Sequence, residues 1–98
     1  MQVSFERRGG FTGIPIEVTV NTAALSPEET AQLHRLVEAA RFFDLPAQMN
    51  DLPQPDRFYY KVTVWQGDRQ HTVRVGESAV PPPLYPLLDW LMEAARRE

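Results

Sequence analysis

The stretch Gly9-Gly10-Phe11-Thr12-Gly13-Ile14 separates two segments that both read as β-strand, so the chain must turn back on itself there. Ile14-Pro15-Ile16-Glu17-Val18-Thr19-Val20 alternates apolar and polar residues with period two. Gln2-Val3-Ser4-Phe5-Glu6-Arg7-Arg8 does so through Phe5 and then turns polar. Glycine adopts φ > 0 at little steric cost, so three glycines in this position mark a hairpin tip. Phe11 is the unusual member, because a tip rarely has anything above it to cover a phenyl ring. Two fates are open to that ring: it folds back against Phe42 or Phe43, or it anchors in a partner's pocket, the usual form of a binding hot spot.

The rest of the pattern completes the fold. Ser26-Pro27-Glu28-Glu29 is a capping box with proline at the first helical position, and the two glutamates suit the positive end of the helix dipole. Leu33, Leu36, Val37 and Ala40 then recur at helical spacing as a buried stripe. This helix is expected to stop near Phe43, because Pro46 disfavours helical geometry at Leu45. Residues 44–56 read as an irregular connector that packs through Leu45, Met49 and Leu52.

A second hairpin follows, from Arg57-Phe58-Tyr59-Tyr60-Lys61-Val62-Thr63-Val64-Trp65 through Gly67-Asp68 to Arg69-Gln70-His71-Thr72-Val73-Arg74-Val75. Tyr60, Val62, Val64, Val73 and Val75 are placed toward the core, and Tyr59, Lys61, Thr63 and Trp65 on the other face. Leu84, Leu87, Leu88, Leu91 and Ala95 define a closing helix, with Pro86 in its first turn. The order β-β-α-β-β-α predicts one α+β domain over residues 1–98. It is two-layered, with a mostly antiparallel four-stranded sheet and both helices on one face.

Composition narrows the function. Ninety-eight residues hold one core, and the absence of cysteine excludes disulfides and thiolate sites and suits a reducing cytoplasm. No basic-then-apolar leader is visible, and no apolar run approaches the roughly 18 residues of a membrane helix. With ten basic and thirteen acidic side chains, the net charge of −3 argues against a nucleic-acid partner, although Tyr59, Lys61 and Trp65 opposite Gln70, Thr72 and Arg74 resemble a base-stacking platform. A solvated sheet face explains those residues equally well.

Catalytic signatures are missing. His34 and His71 have no partner at metal-ligand spacing, and His71 falls on the core register of its strand as a structural histidine would. Ser4 alternates in a strand, Ser26 is a cap, and Ser78 lies in a loop. Glu28 and Glu29 are explained by capping, and the glycines lead into a strand where a phosphate loop would need a helix. The chain reads as a non-enzymatic interaction domain with no cofactor and no metal.

Several of these motifs, taken together, resemble the emfourin family. They are the strand entering Gly9-Gly10-Phe11-Thr12-Gly13-Ile14, Leu36-Val37-Glu38-Ala39-Ala40 followed by Phe42-Phe43-Asp44-Leu45-Pro46, Asp56-Arg57-Phe58-Tyr59-Tyr60, and Pro86-Leu87-Leu88-Asp89-Trp90-Leu91. The resemblance spans nearly the whole chain in the same order. It implies a small bacterial protein that inhibits a protealysin-type, thermolysin-like zinc metallopeptidase, and it carries no residue-level inhibitory motif; the cytoplasmic location is expected from the lack of cysteine and of a leader. Thermolysin-like enzymes favour a large apolar side chain just after the cleaved bond, which Phe11 or Ile14 would supply. The expected partner-binding residues are therefore Gly9, Gly10, Phe11, Thr12, Gly13 and Ile14, acting in the active-site cleft by a monomer or weak homodimer. The alternative is an interaction module without inhibitory activity, built as a dimer on a sheet edge or on the aromatic outer face.

Overall fold

Period-two alternation sorts this chain into a sheet whose two central inner rows are mostly valine. The computed structural model describes residues 1–10, 14–49 and 57–97. Its elements are β1 (Gln2–Gly9), β2 (Ile16–Asn21), α1 (Pro27–Ala39), β3 (Gln48–Met49), β4 (Phe58–Gln66), β5 (Arg69–Gly76) and α2 (Tyr85–Arg96). Short 3-10 turns cover residues 22–24, 42–44, 77–79 and 82–84. The strand order is β2-β1-β4-β5-β3. The register aligns Val18, Phe5, Val62 and Val73 in one inner row and Val20, Val3, Val64 and His71 in the next. Side chains in such rows are close enough to pack directly on one another.

Both helices cover that inner face. Leu33 and Val37 from α1 join Leu87, Leu88 and Leu91 from α2 in one cluster with the valines. Full burial of a leucine contributes about 1.5–3 kcal/mol, and Leu33, Leu87 and Leu91 are completely enclosed. Ser26 caps α1 as expected: its hydroxyl accepts from the Glu29 amide at 3.1 Å and donates to the Glu29 carboxylate at 3.2 Å. Among the described residues no helix is long and apolar enough to cross a membrane.

Three expectations need correction. The sheet has five strands and is mixed, where four mostly antiparallel strands were expected. Gln48 and Met49, inside the supposed irregular connector, pair in parallel with Arg74 and Val75, and the Arg74 amide donates to the Ala47 carbonyl at 2.8 Å. A two-residue strand shows no periodicity, so only the neighbouring edge of β5 could select it. The first helix also ends at Ala39, short of Phe43: Arg41 adopts the left-handed region (φ 50°), and residues 42–44 continue as a 3-10 turn. The influence of Pro46 is felt at Leu45, which is extended with ψ 146°. Leu36 is only half-buried, whereas Leu33, Val37 and Ala40 are enclosed. Leu45 and Met49 do pack on the core, and Leu52 lies outside the described residues.

Tyr60 lies in the third inner row, between Arg7 and Val75, with its ring stacked on Phe5 at 6.2 Å. Burial pushes its phenol above the ordinary value of 10.0, with Glu77 adding to the shift. A group whose folded pKa is raised contributes stability that is present at lower pH and lost as pH rises through the folded value. Tyr60→Phe should therefore leave the midpoint of urea denaturation near neutrality unchanged and flatten its decline as pH rises through and above 10.0. An alkaline limb identical to the parent's would show that the phenol makes no such contribution.

Candidate functional site

The base of the 9–14 segment is held by close backbone approach. Gly9 is the last residue of β1 and faces Phe58 of β4, with φ 95°. A Cβ on it would stand 2.3 Å from the Arg57 carbonyl oxygen. The Gly10 amide donates to that same oxygen at 3.2 Å, and a Cβ there, at φ 76°, would meet the Phe58 ring at 2.6 Å. The Phe58 backbone is tied down, its amide donating to Glu77 Oε1 at 2.8 Å, while the Arg7 guanidinium lies over its ring at 4.1 Å. Two of the three glycines are thus required by contact with the start of β4, a cause that a reading of local turn chemistry does not supply.

Among the remaining residues expected at this site, Ile14 is 73% exposed. Phe11, Thr12 and Gly13 lie outside the described residues. The rings offered above as cover for Phe11 sit toward the other end of the sheet. Phe42 packs edge-on against Phe43 and against His71, which pairs with Val64. At about 3.3 Å per residue, the run of β4 from Phe58 to Val64 separates them from Gly10 by roughly 20 Å.

The opposite face of the sheet is concave. A groove of about 570 Å³ runs over it, walled on one side by Ala47 and Gln48 and floored by β1, β4 and β5. Lys61, Thr63 and Trp65 point into it as the alternation requires, with Ser4, Glu6, Gln70, Thr72 and Arg74. Thr63 is only 6% exposed, and its hydroxyl lies 2.8 Å from that of Thr72, so the floor is a satisfied polar layer. The Glu6 carboxylate is held below the usual carboxylate range chiefly by its hydrogen bond from Arg8, which also reaches Glu17 at 3.4 Å. The wall formed by residues 47–48 is what sequence reasoning missed, and it follows from the same short parallel pairing.

Neither histidine is arranged for chemistry. His71 Nε2 lies 2.7 Å from the Leu45 carbonyl and therefore carries the proton it donates there, while its ring rests on Phe42. His34 Nδ1 is 3.3 Å from Gln66 Nε2. Among the described residues no group of three His, Cys, Asp or Glu side chains could hold a metal ion.

The emfourin family model matches residues 5–92 of the chain. A solved structure of emfourin from Serratia proteamaculans, described as an M4 family peptidase inhibitor, is similar at 22% identity. The match covers 88% of this chain and 83% of that one, with a TM-score of 0.49. No curated protein matches the chain.

The glycine contacts make a graded expectation. Gly9→Ala should destabilise by about 3 kcal/mol or more, since left-handed strain of roughly 1–3 kcal/mol adds to collision with an immovable carbonyl. Gly10→Ala should cost less, because the Phe58 ring can shift. Gly67→Ala, at φ 61° with nothing within 4 Å, should cost only about 1 kcal/mol. Urea denaturation of the three variants checks the order, and equal losses at Gly9 and Gly67 would show that strand contact adds nothing to backbone strain.

Proposed function

Because the chain belongs to the emfourin family, we propose that it is a protein inhibitor of a thermolysin-like zinc metallopeptidase. The observation that carries this reading is the family match over residues 5–92, nearly the whole length. The chain is not an enzyme. The inhibitory contact we assign to residues 9–14, inserted in the active-site cleft.

Three features support that assignment. Gly9 and Gly10 are clamped to Arg57 and Phe58, so the start of the segment is ordered before docking and that part of the entropy cost is already met. Ile14 presents its side chain to solvent. Phe11 and Ile14 are the large apolar type that such enzymes favour just after the scissile bond. Occupying that subsite would block substrate. A competing reading, a dimer without inhibitory activity, draws on the position of β2 at the edge of the sheet.

Titrating the pure protein into thermolysin and into a protealysin-type enzyme, while following peptide hydrolysis, tests both readings. Phe11→Ala should weaken inhibition by at least ~2 kcal/mol, roughly thirtyfold, without altering the melting temperature. Trp65→Ala should inhibit like the parent. The reverse pattern would move the contact to the outer groove. No inhibition of either enzyme by the parent, together with a concentration-dependent sedimentation coefficient, would favour the dimer.

A further inference from the structure

The outer face carries a row of charges whose signs are segregated, with its two bases side by side. Across β2, β1, β4, β5 and β3 the register places Glu17, Glu6, Lys61, Arg74 and Gln48 side by side. Two acids are followed by two bases. The acidic half is compensated by Arg8, which binds both Glu6 and Glu17. The basic half is compensated less: among the described residues neither Lys61 nor Arg74 makes an ion pair, and although the Lys61 charge helps to hold the opposite Glu6 carboxylate down, Arg74 has no acid beside it in the row.

Like charges directly opposite one another across antiparallel strands are destabilising. Glu6 adjoins Lys61 but is drawn toward Arg8. Its distance from Arg74, two strand spacings or about 10 Å, is comparable with the screening length in physiological salt. Arg74 is exposed, and its neighbours along the groove are the hydroxyl of Thr72 and the amides of Gln48 and Gln70. A position where a local rule is broken without internal compensation is where function is to be sought.

We propose that this groove docks an acidic segment of a partner protein, whose carboxylates lie between Lys61 and Arg74 and whose chain runs along the wall made by residues 47–48. The planar guanidinium of arginine matches a carboxylate bidentately, and the lysine supplies the second charge. Ser4, Gln48 and Gln70 add donors and acceptors for a peptide backbone, and Trp65 offers an apolar flank. A small anion fits less well. Sites for small molecules bury most of the ligand's surface, and a groove lying open along the sheet encloses little of one. The overall charge of −3 opposes non-specific attraction of an acidic partner, so association depends on these two residues. This contact is separate from the 9–14 segment and does not require inhibitory activity.

The test is calorimetric titration of the full-length protein with end-capped hexaglutamate at low salt, paired with indole fluorescence. Binding should saturate and weaken at least tenfold in Arg74→Gln, and disappear in Lys61→Gln/Arg74→Gln. The emission change should persist in Trp90→Phe and vanish in Trp65→Phe. Arg74→Glu guards against loss of fold as the cause: it should raise the melting temperature by removing the like-charge pair while abolishing the binding. The proposal is overturned by absence of saturable binding, by equal affinity in the double variant, or by a lowered melting temperature in Arg74→Glu. Inorganic phosphate binding as tightly as the peptide would also overturn it, by assigning the site to a small anion.

Discussion

The antiparallel pairing of β1 with β4 is the contact on which the rest of this molecule depends. Residues 2–9 lie against residues 58–65, joining the first β-β-α unit to the second through strands distant in sequence. Without it, each half would be an isolated hairpin and helix with an uncovered apolar face, which is marginal in water. With it, Val3 and Phe5 stand at the centre of the sheet, flanked by valines on both sides, and both helices find a common surface. The same pairing brings the end of β1 against Arg57 and Phe58 and so determines where the 9–14 segment departs.

Two faces of one sheet then serve different purposes. The inner face is closed by leucines from α1 and α2 and finishes at His71, whose ring nitrogen is used up on a backbone carbonyl. The outer face retains hydroxyls, amides and charges over a buried Thr63–Thr72 contact. Burial of a polar layer is tolerable because each group has a partner. The groove is consequently polar, and its adjacent bases Lys61 and Arg74 stand on strands held in one register.

The two proposed contacts use different physics. The 9–14 segment carries two large apolar residues in its sequence and is held at Gly9 and Gly10, so affinity there would come from desolvation and preorganisation. The groove offers charge and hydrogen bonds on an open surface, where interaction is weaker, salt-dependent and more useful for choosing a partner than for holding it. One small chain can present both because they lie at different places on the same sheet: the segment leaves beside the first residues of β4, while the groove crosses the middle of the outer face.

Local chemistry in the sequence determined the order of elements, the capped start of α1, the Gly67-Asp68 turn, and the valines and leucines of the core. Each of these rests on neighbours within a few residues, whether period-two alternation, the Ser26–Glu29 box or the helical stripe ending in Leu91. It also determined the absence of any thiol chemistry. Only the tertiary structure decided the fifth strand, the concave outer face and the reason for Gly9 and Gly10. Gln48 and Met49 become a strand because β5 offers them an open edge, and two residues carry no periodic signal of their own. The glycines are required by a carbonyl and a ring nearly fifty residues away, and the Lys61–Arg74 conflict arises only when two strands adopt one register. Such constraints act between segments that the fold brings together, so no window along the chain contains them.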